Sequence, residues 1–216
     1  LIHLGRVSVV VGDVAKPHLG LSEDEWARLA AETDLIVHAS GKADHLIGYQ
    51  GVAEVNAHST KEVLSLATTT RLKAVVYIGS TNMWLKFGDT VDHSTVHEDV
   101  DLASLSTGLF TGYSQSKWVS ESLCERARAR GVPVIRVRPG VLGGNANSRY
   151  IPNEDSFLWR LLSGSLQLGV APQLDSSFTE TPADWFSDIF GKLVSSQRTW
   201  AGDKDVFHIN SGNVVT

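Results

Sequence analysis

Tyr113 and Lys117, four residues apart, form the pair in this sequence best suited to acid–base chemistry. Val119, Leu123 and Cys124 follow, with neither Pro nor Gly before Gly131, so the spacing predicts a helix carrying both side chains on one face. A free phenol has a pKa of about 10 and donates its proton poorly near neutrality unless a cation stabilises the phenolate. Lys117 is the cation at hand. Ser80, just past the apolar run Ala74–Ile78, brings a hydroxyl from a different element, and with Tyr113 it makes a donor pair that can be aimed at one carbonyl oxygen. Tyr-x-x-x-Lys also arises by chance on amphipathic helices, so its meaning rests on what surrounds it.

Those surroundings alternate. Arg6–Val11 is apolar and β-branched and stops at Gly12-Asp13, which predicts a buried strand ending in a turn. Ser22 is placed as a helix N-cap, with Glu25 three residues on and Trp26, Leu29 and Ala30 as the apolar face of a helix running to about Glu32. A short strand follows over residues 34–38 and runs into Ala39-Ser40-Gly41. Next come a helical pattern from about Tyr49 to Thr69, a third strand over Ala74–Ile78, and a polar, acidic stretch from Thr81 to Thr111 read as a binding loop or lid. In that stretch Met83, Trp84 and Phe87 either line a tunnel for an apolar ligand or pack within the lobe, and Thr81 either offers a second hydroxyl, should the strand register shift by one, or caps the loop. After the Lys117 helix, Val134–Arg138 reads as a fourth strand and Pro139–Gly144 as a breaker-rich loop. Helices over Phe157–Leu168 and Pro182–Leu193 and a strand over Asp205–Ile209 complete the pattern.

Strands separated by helices predict an α/β, Rossmann-like doubly wound parallel sheet, with ligands at the carboxyl ends of the strands. The loops after Val11, Val37, Ile78 and Arg138 would share that rim. Residues 1–144 are expected to form a partial dinucleotide-binding domain and residues 145–216 a smaller substrate lobe.

At 216 residues with 42% hydrophobic composition the chain can bury a sizeable core. Its net charge is -5 and its Lys and Arg are scattered, so nucleic acid is not an expected partner. Cys124 is the single cysteine, which excludes an internal disulfide or Cys-based zinc site and fits a reducing, cytoplasmic setting. No apolar run reaches the roughly 18 residues of a membrane span, and no signal-peptide pattern is present, so no membrane partner is expected. His93 and His97 are the one histidine pair at helical spacing, but their acidic, Ser/Thr-rich stretch reads as a surface loop, and no metal is expected.

Taken together, several segments resemble the extended short-chain dehydrogenase/reductase superfamily, and most of all its thioester reductase domains, the terminal domains of carboxylic acid reductases, nonribosomal peptide synthetases and polyketide synthases. They are Val11-Gly12-Asp13-Val14 with Leu19-Gly20-Leu21-Ser22 and Trp26; Asp34-Leu35-Ile36-Val37-His38; Gly112-Tyr113-Ser114-Gln115-Ser116-Lys117-Trp118 with Glu121; Arg138-Pro139-Gly140; and Thr181-Pro182-Ala183-Asp184. The resemblance implies Ser80, Tyr113 and Lys117 as catalytic triad. It implies Asp13 and Val14 around an adenine, Ala39, Ser40 and Gly41 facing ribose and pyrophosphate, and Pro139, Gly140 and Val141 touching the nicotinamide amide. The implied cofactor is NADPH, or NADH, and the implied partner a phosphopantetheinyl carrier domain bearing an acyl thioester, released as an aldehyde or alcohol.

The family's glycine-rich dinucleotide turn has no counterpart here, which predicts a portion of a longer chain lacking the first strands of its sheet. Two other functions share this fold: redox-independent release by Dieckmann-type cyclisation, and a non-catalytic module that binds a dinucleotide or a carrier. An intact Ser-Tyr-Lys set favours the reductase, because a cyclase has no need of a hydride-aligned donor pair.

Overall fold

The computed structural model describes residues 4–84, 96–147, 157–173, 178–211 and 214–215. The chain divides into two compact units, residues 1–137 and 138–216. The division falls within a strand, a few residues before the 144/145 boundary at which the alternation of strands and helices weakens.

In the first unit three strands run parallel in the order β1 (Leu35–His38), β2 (Ala74–Ile78), β3 (Val134–Pro139). Leu35 pairs with Ala74 and Val75 with Val134, so the ends of β1 and β2 lie at one rim. The β2 and β3 residues Val75, Val76, Val134, Ile135 and Val137 are almost wholly buried, as expected of a parallel sheet covered on both faces.

Helices supply the cover. α1 (Glu23–Glu32) starts where Ser22 Oγ accepts from the Glu25 amide at 3.2 Å, the expected cap, and its Trp26 and Ala30 pack with Leu66. The pattern over residues 49–69 becomes one helical run with a wide middle turn: α2 (Gln50–Ala53), a π-helical segment (Glu54–His58) and α3 (Ser59–Thr68). π-turns inside helices are frequent at functional sites. α4 (Gly112–Arg128) is capped by Thr111, whose hydroxyl accepts from the Ser114 amide at 3.0 Å. Its Cys124 joins Val63, Ala67, Val75, Tyr77, Val132 and Val134 in the core.

The strand expected over Arg6–Val11 does not form. Leu4–Arg6 is a 3-10 turn, and the residues after it pair with no strand among the described residues. Val7, Val9 and Val11 are 60%, 86% and 89% exposed. A β-former becomes a strand only where a neighbour takes its backbone hydrogen bonds. Beyond Asp13 the chain turns back through His18, Leu19 and Gly20, all at positive φ, and lays His18 on the Trp26 indole with ring centroids 4.4 Å apart.

The second unit holds β4 (Val141–Leu142), α5 (Phe157–Leu168), β5 (Phe178–Thr181), α6 (Ala183–Ser195), α7 (Gln197–Ala201), β6 (Val206–Ile209) and β7 (Val214–Val215). The two helices and late strand expected there are present. The small sheet β4-β5-β7, with β4 parallel and β7 antiparallel to β5, carries too few residues for a periodicity to show. Among the described residues no helix is long and apolar enough to cross a membrane.

Candidate active site

The expected helix face is real, and it meets the end of β2. Lys117 is 6% exposed, and its ammonium donates to the Ile78 carbonyl at 3.0 Å. The same nitrogen stands 5.2 Å from the centroid of the Tyr77 ring and 5.8 Å from that of Tyr113. Ser80, two residues past the Ile78 carbonyl, is buried and hydrogen-bonds the Tyr113 side chain. The structure therefore brings the three residues singled out from the sequence into one cluster at the carboxyl end of β2.

The electrostatics follow from burial. Desolvation brings the Lys117 ammonium down to about 8, although Glu121, one turn further along α4, holds the charge. Desolvation also raises the Tyr113 phenol above its ordinary value, and the Ser80 hydrogen bond offsets only part of this. Contrary to the acidity expected from a lysine one turn away, the phenol rests protonated at neutral pH. Burial makes it hold its proton more tightly than a free phenol does.

Gly41 lies next to this cluster: a methyl group on it would sit 3.4 Å from both Lys117 Nζ and Asn56 Oδ1. Ser40 Oγ lies 3.2 Å from His38 Nδ1, and Ala39 is exposed between them. The loop after β1 thus comes up to the lysine. Among the described residues Lys117 donates only to Ile78, so two of its three N–H bonds remain beside a residue without a side chain. That is a donor set and a space that fit ribose hydroxyls of a dinucleotide.

Asn56 had no signal in the sequence. It is 2% exposed on the π-helical segment; its Oδ1 accepts from the Lys42 amide at 2.7 Å, and its Nδ2 donates to the Lys42 carbonyl at 3.1 Å and to Ser116 Oγ at 2.8 Å. It ties the loop after β1 to α4. An asparagine in an amphipathic helix becomes informative only once the loop it clamps is seen opposite.

The Asp13 carboxylate is spent on its own turn, accepting from the Ala15 amide at 3.0 Å and pairing with Lys16 at 3.5 Å, and Val14 beside it is half-buried. Neither is joined to the Tyr113 cluster by a hydrogen bond or ring contact among the described residues. Pro139, Gly140 and Val141 belong to the second unit, where Gly140 lies against the Asn210 side chain and Val141 opens β4. Met83 and Trp84 are buried, and with Leu102 and Leu105 they form a separate apolar cluster against Trp118. Among the described residues their surroundings are those of packed apolar side chains. Thr81 begins a 3-10 turn directly after Ser80. Phe87 and His93 lie outside the described residues.

A parallel α/β sheet with a serine at a strand end beside a Tyr-x-x-x-Lys helix is what the resemblance to the extended short-chain dehydrogenase/reductase class implies, and similarity to known proteins places the chain in that class. Residues 2–190 match the NAD-binding family described as Male sterility protein. The chain belongs to that family, on its terminal reductase branch. It is 35% identical over 188 residues to L-2-aminoadipate reductase of Saccharomyces cerevisiae, covering 83% of this chain and 13% of that protein. It is 34% identical over 197 residues to a nonribosomal peptide synthetase of Aspergillus flavus, covering 90% of this chain and 19% of that protein. Among solved structures, the terminal R domain of the myxalamid PKS-NRPS pathway superposes with a TM-score of 0.86 at 32% identity, over 98% of this chain and 52% of that one. An NAD complex of dTDP-glucose 4,6-dehydratase from Bacillus anthracis shares the fold, with a TM-score of 0.68 at 16% identity over 96% of this chain and 59% of that one. The chain thus spans a minor part of these curated relatives and about half of the R domain.

Proposed function

We propose that this chain carries the catalytic residues of an NADPH-dependent reductase that releases an acyl or peptidyl thioester from a phosphopantetheinyl carrier as an aldehyde or alcohol. The observation that carries this reading is the meeting of Ser80, a protonated Tyr113 and a buried Lys117 beside the open Gly41. The relatives' names, an aminoadipate reductase and a peptide synthetase, support an acyl or peptidyl substrate.

When bound, the nicotinamide supplies a hydride to the thioester carbonyl carbon. Ser80 and Tyr113 hydrogen-bond the carbonyl oxygen, where negative charge develops. Tyr113 gives that oxygen its proton, and Lys117 stabilises the resulting phenolate while its remaining donors hold ribose hydroxyls. The hemithioacetal then re-forms its carbonyl: the carbon–sulfur bond breaks, the hydroxyl proton leaves with the thiol, and an aldehyde remains. A second such cycle gives the alcohol.

Tyr113→Phe keeps the ring and loses the proton. With acyl-pantetheine as substrate, its rate of NADPH oxidation is expected to fall by about 10²–10³-fold while the dissociation constant for NADPH stays near wild type. Near-normal turnover by this variant would refute the assignment. Thiol release without nicotinamide oxidation by the wild type would point to cyclising release, and tight NADPH binding without turnover to a binding module.

A further inference from the structure

We propose, on the reductase reading above, that Ser40 is a hydrogen-bond acceptor for a ribose hydroxyl of the dinucleotide, and that buried His38 assigns it that role. His38 ends β1 and is 4% exposed. Its Nε2 lies 3.0 Å from Thr60 Oγ1 and 3.3 Å from Ser59 Oγ, and its Nδ1 lies 3.2 Å from Ser40 Oγ.

The protons can be placed. Thr60 Oγ1 stands 2.8 Å from the Asn56 carbonyl, and Ser59 Oγ faces the Val55 carbonyl at 2.5 Å. Carbonyl oxygens only accept, so each of these hydroxyls must spend its single proton there. Both can then only accept from the imidazole, so Nε2 carries the ring proton and Nδ1 is bare. The opposite tautomer would either take the Thr60 or Ser59 proton from its carbonyl or leave a bare Nε2 facing two hydroxyl oxygens with no proton between them. Ser40 must therefore donate to Nδ1, and its hydroxyl has lone pairs alone for any further partner.

A hydroxyl that can only accept discriminates. Phosphate oxygens have no proton to give at neutral pH, so the Ser40 hydroxyl does not hold the pyrophosphate, although the resemblance placed it near both ribose and pyrophosphate. A ribose hydroxyl both accepts and donates, which suits a loop with Ser40 as acceptor and the Lys117 ammonium, a donor only, beside the adjoining Gly41. The loop is fixed at both ends, by His38 behind Ser40 and by the two Asn56 hydrogen bonds to Lys42.

The test has a spectroscopic and a binding part. Long-range ¹⁵N spectra of the 216-residue chain are expected to show His38 protonated at Nε2, and a proton on Nδ1 would overturn the proposal. In calorimetry, Ser40→Ala is expected to weaken NADPH binding about threefold to tenfold, the worth of one neutral hydrogen bond, and Ser40→Thr to keep most of the affinity. Deoxyribose analogues modified on one sugar or the other complete the cycle: one of them should bind wild type that much more weakly and be indifferent to Ser40→Ala. If Ser40→Ala leaves NADPH binding unchanged, or weakens NADPH and every analogue alike, the proposal fails while the reductase reading stands. A full-length wild-type protein that binds no NADPH would refute the reductase reading and this proposal with it.

Discussion

Lys117 has two opposed dependences on pH. Its folded pKa, about 8, lies below its ordinary value, so the ammonium is complete below that pH and is lost as pH rises through it. Dinucleotide affinity and turnover are therefore expected to fall above about pH 8, and Lys117→Met should remove that limb at a lower plateau. Stability moves the other way. Between about 8 and the ordinary 10.5 the unfolded chain holds a proton that the folded chain has released, so this group's contribution rises with pH there. A pH–rate profile measured beside a denaturation series separates the two. His38 is the acid-side counterpart: burial, and then the Lys117 charge, bring it from 6.5 to about 4, so its contribution to stability is present above 6.5 and lost as pH falls to 4. Urea midpoints at the two ends of that window should reveal about 3 kcal/mol from this group, and His38→Gln should flatten the acid limb. Tyr113, Lys117 and Ser80 were legible because their chemistry depends on residue type and spacing. Asn56 and the proton on His38 were not, because each is set by partners from other elements.

Element by element, what could be read was what is decided locally. Ser22 caps α1 where expected because a cap needs only a side chain and an amide three residues on. The π-helical segment left no trace, since the carbonyl of Asn56 is shared by hydroxyls of Thr60 at 2.8 Å and Ser120 at 3.0 Å, the latter from α4. The strand read at Arg6–Val11 failed for the complementary reason: its composition was right, and its partner is not among the described residues. Gly112 marks another contact between elements. A methyl group there would lie 2.4 Å from the Gly48 carbonyl carbon and 2.5 Å from the Tyr49 amide nitrogen, both backbone atoms with little room to move. Gly112→Ala is thus expected to destabilise the chain by about 1–3 kcal/mol in thermal unfolding and to lower turnover further, since it shifts the helix start that carries Tyr113.

For the molecule as a whole, alternation of apolar strands with helices was enough to give a parallel α/β sheet, and that sheet is what places Ser80, Gly41 and the α4 face at one rim. The division at Val137 was not legible, because it interrupts a strand whose residues Val134–Pro139 are buried throughout and read as a single run. The small β4-β5-β7 sheet escaped notice because strands of two to four residues carry no usable period. The family and its fold are thereby established, and the chemistry proposed for them turns on a single atom transfer. Incubating the chain with acyl-pantetheine and NADPH carrying deuterium at the nicotinamide C4 position tests this directly. With both C4 hydrogens replaced, deuterium on the carbonyl-derived carbon of the aldehyde or alcohol, in a product whose yield collapses in Tyr113→Phe, is the predicted result; a released product without deuterium would contradict the account.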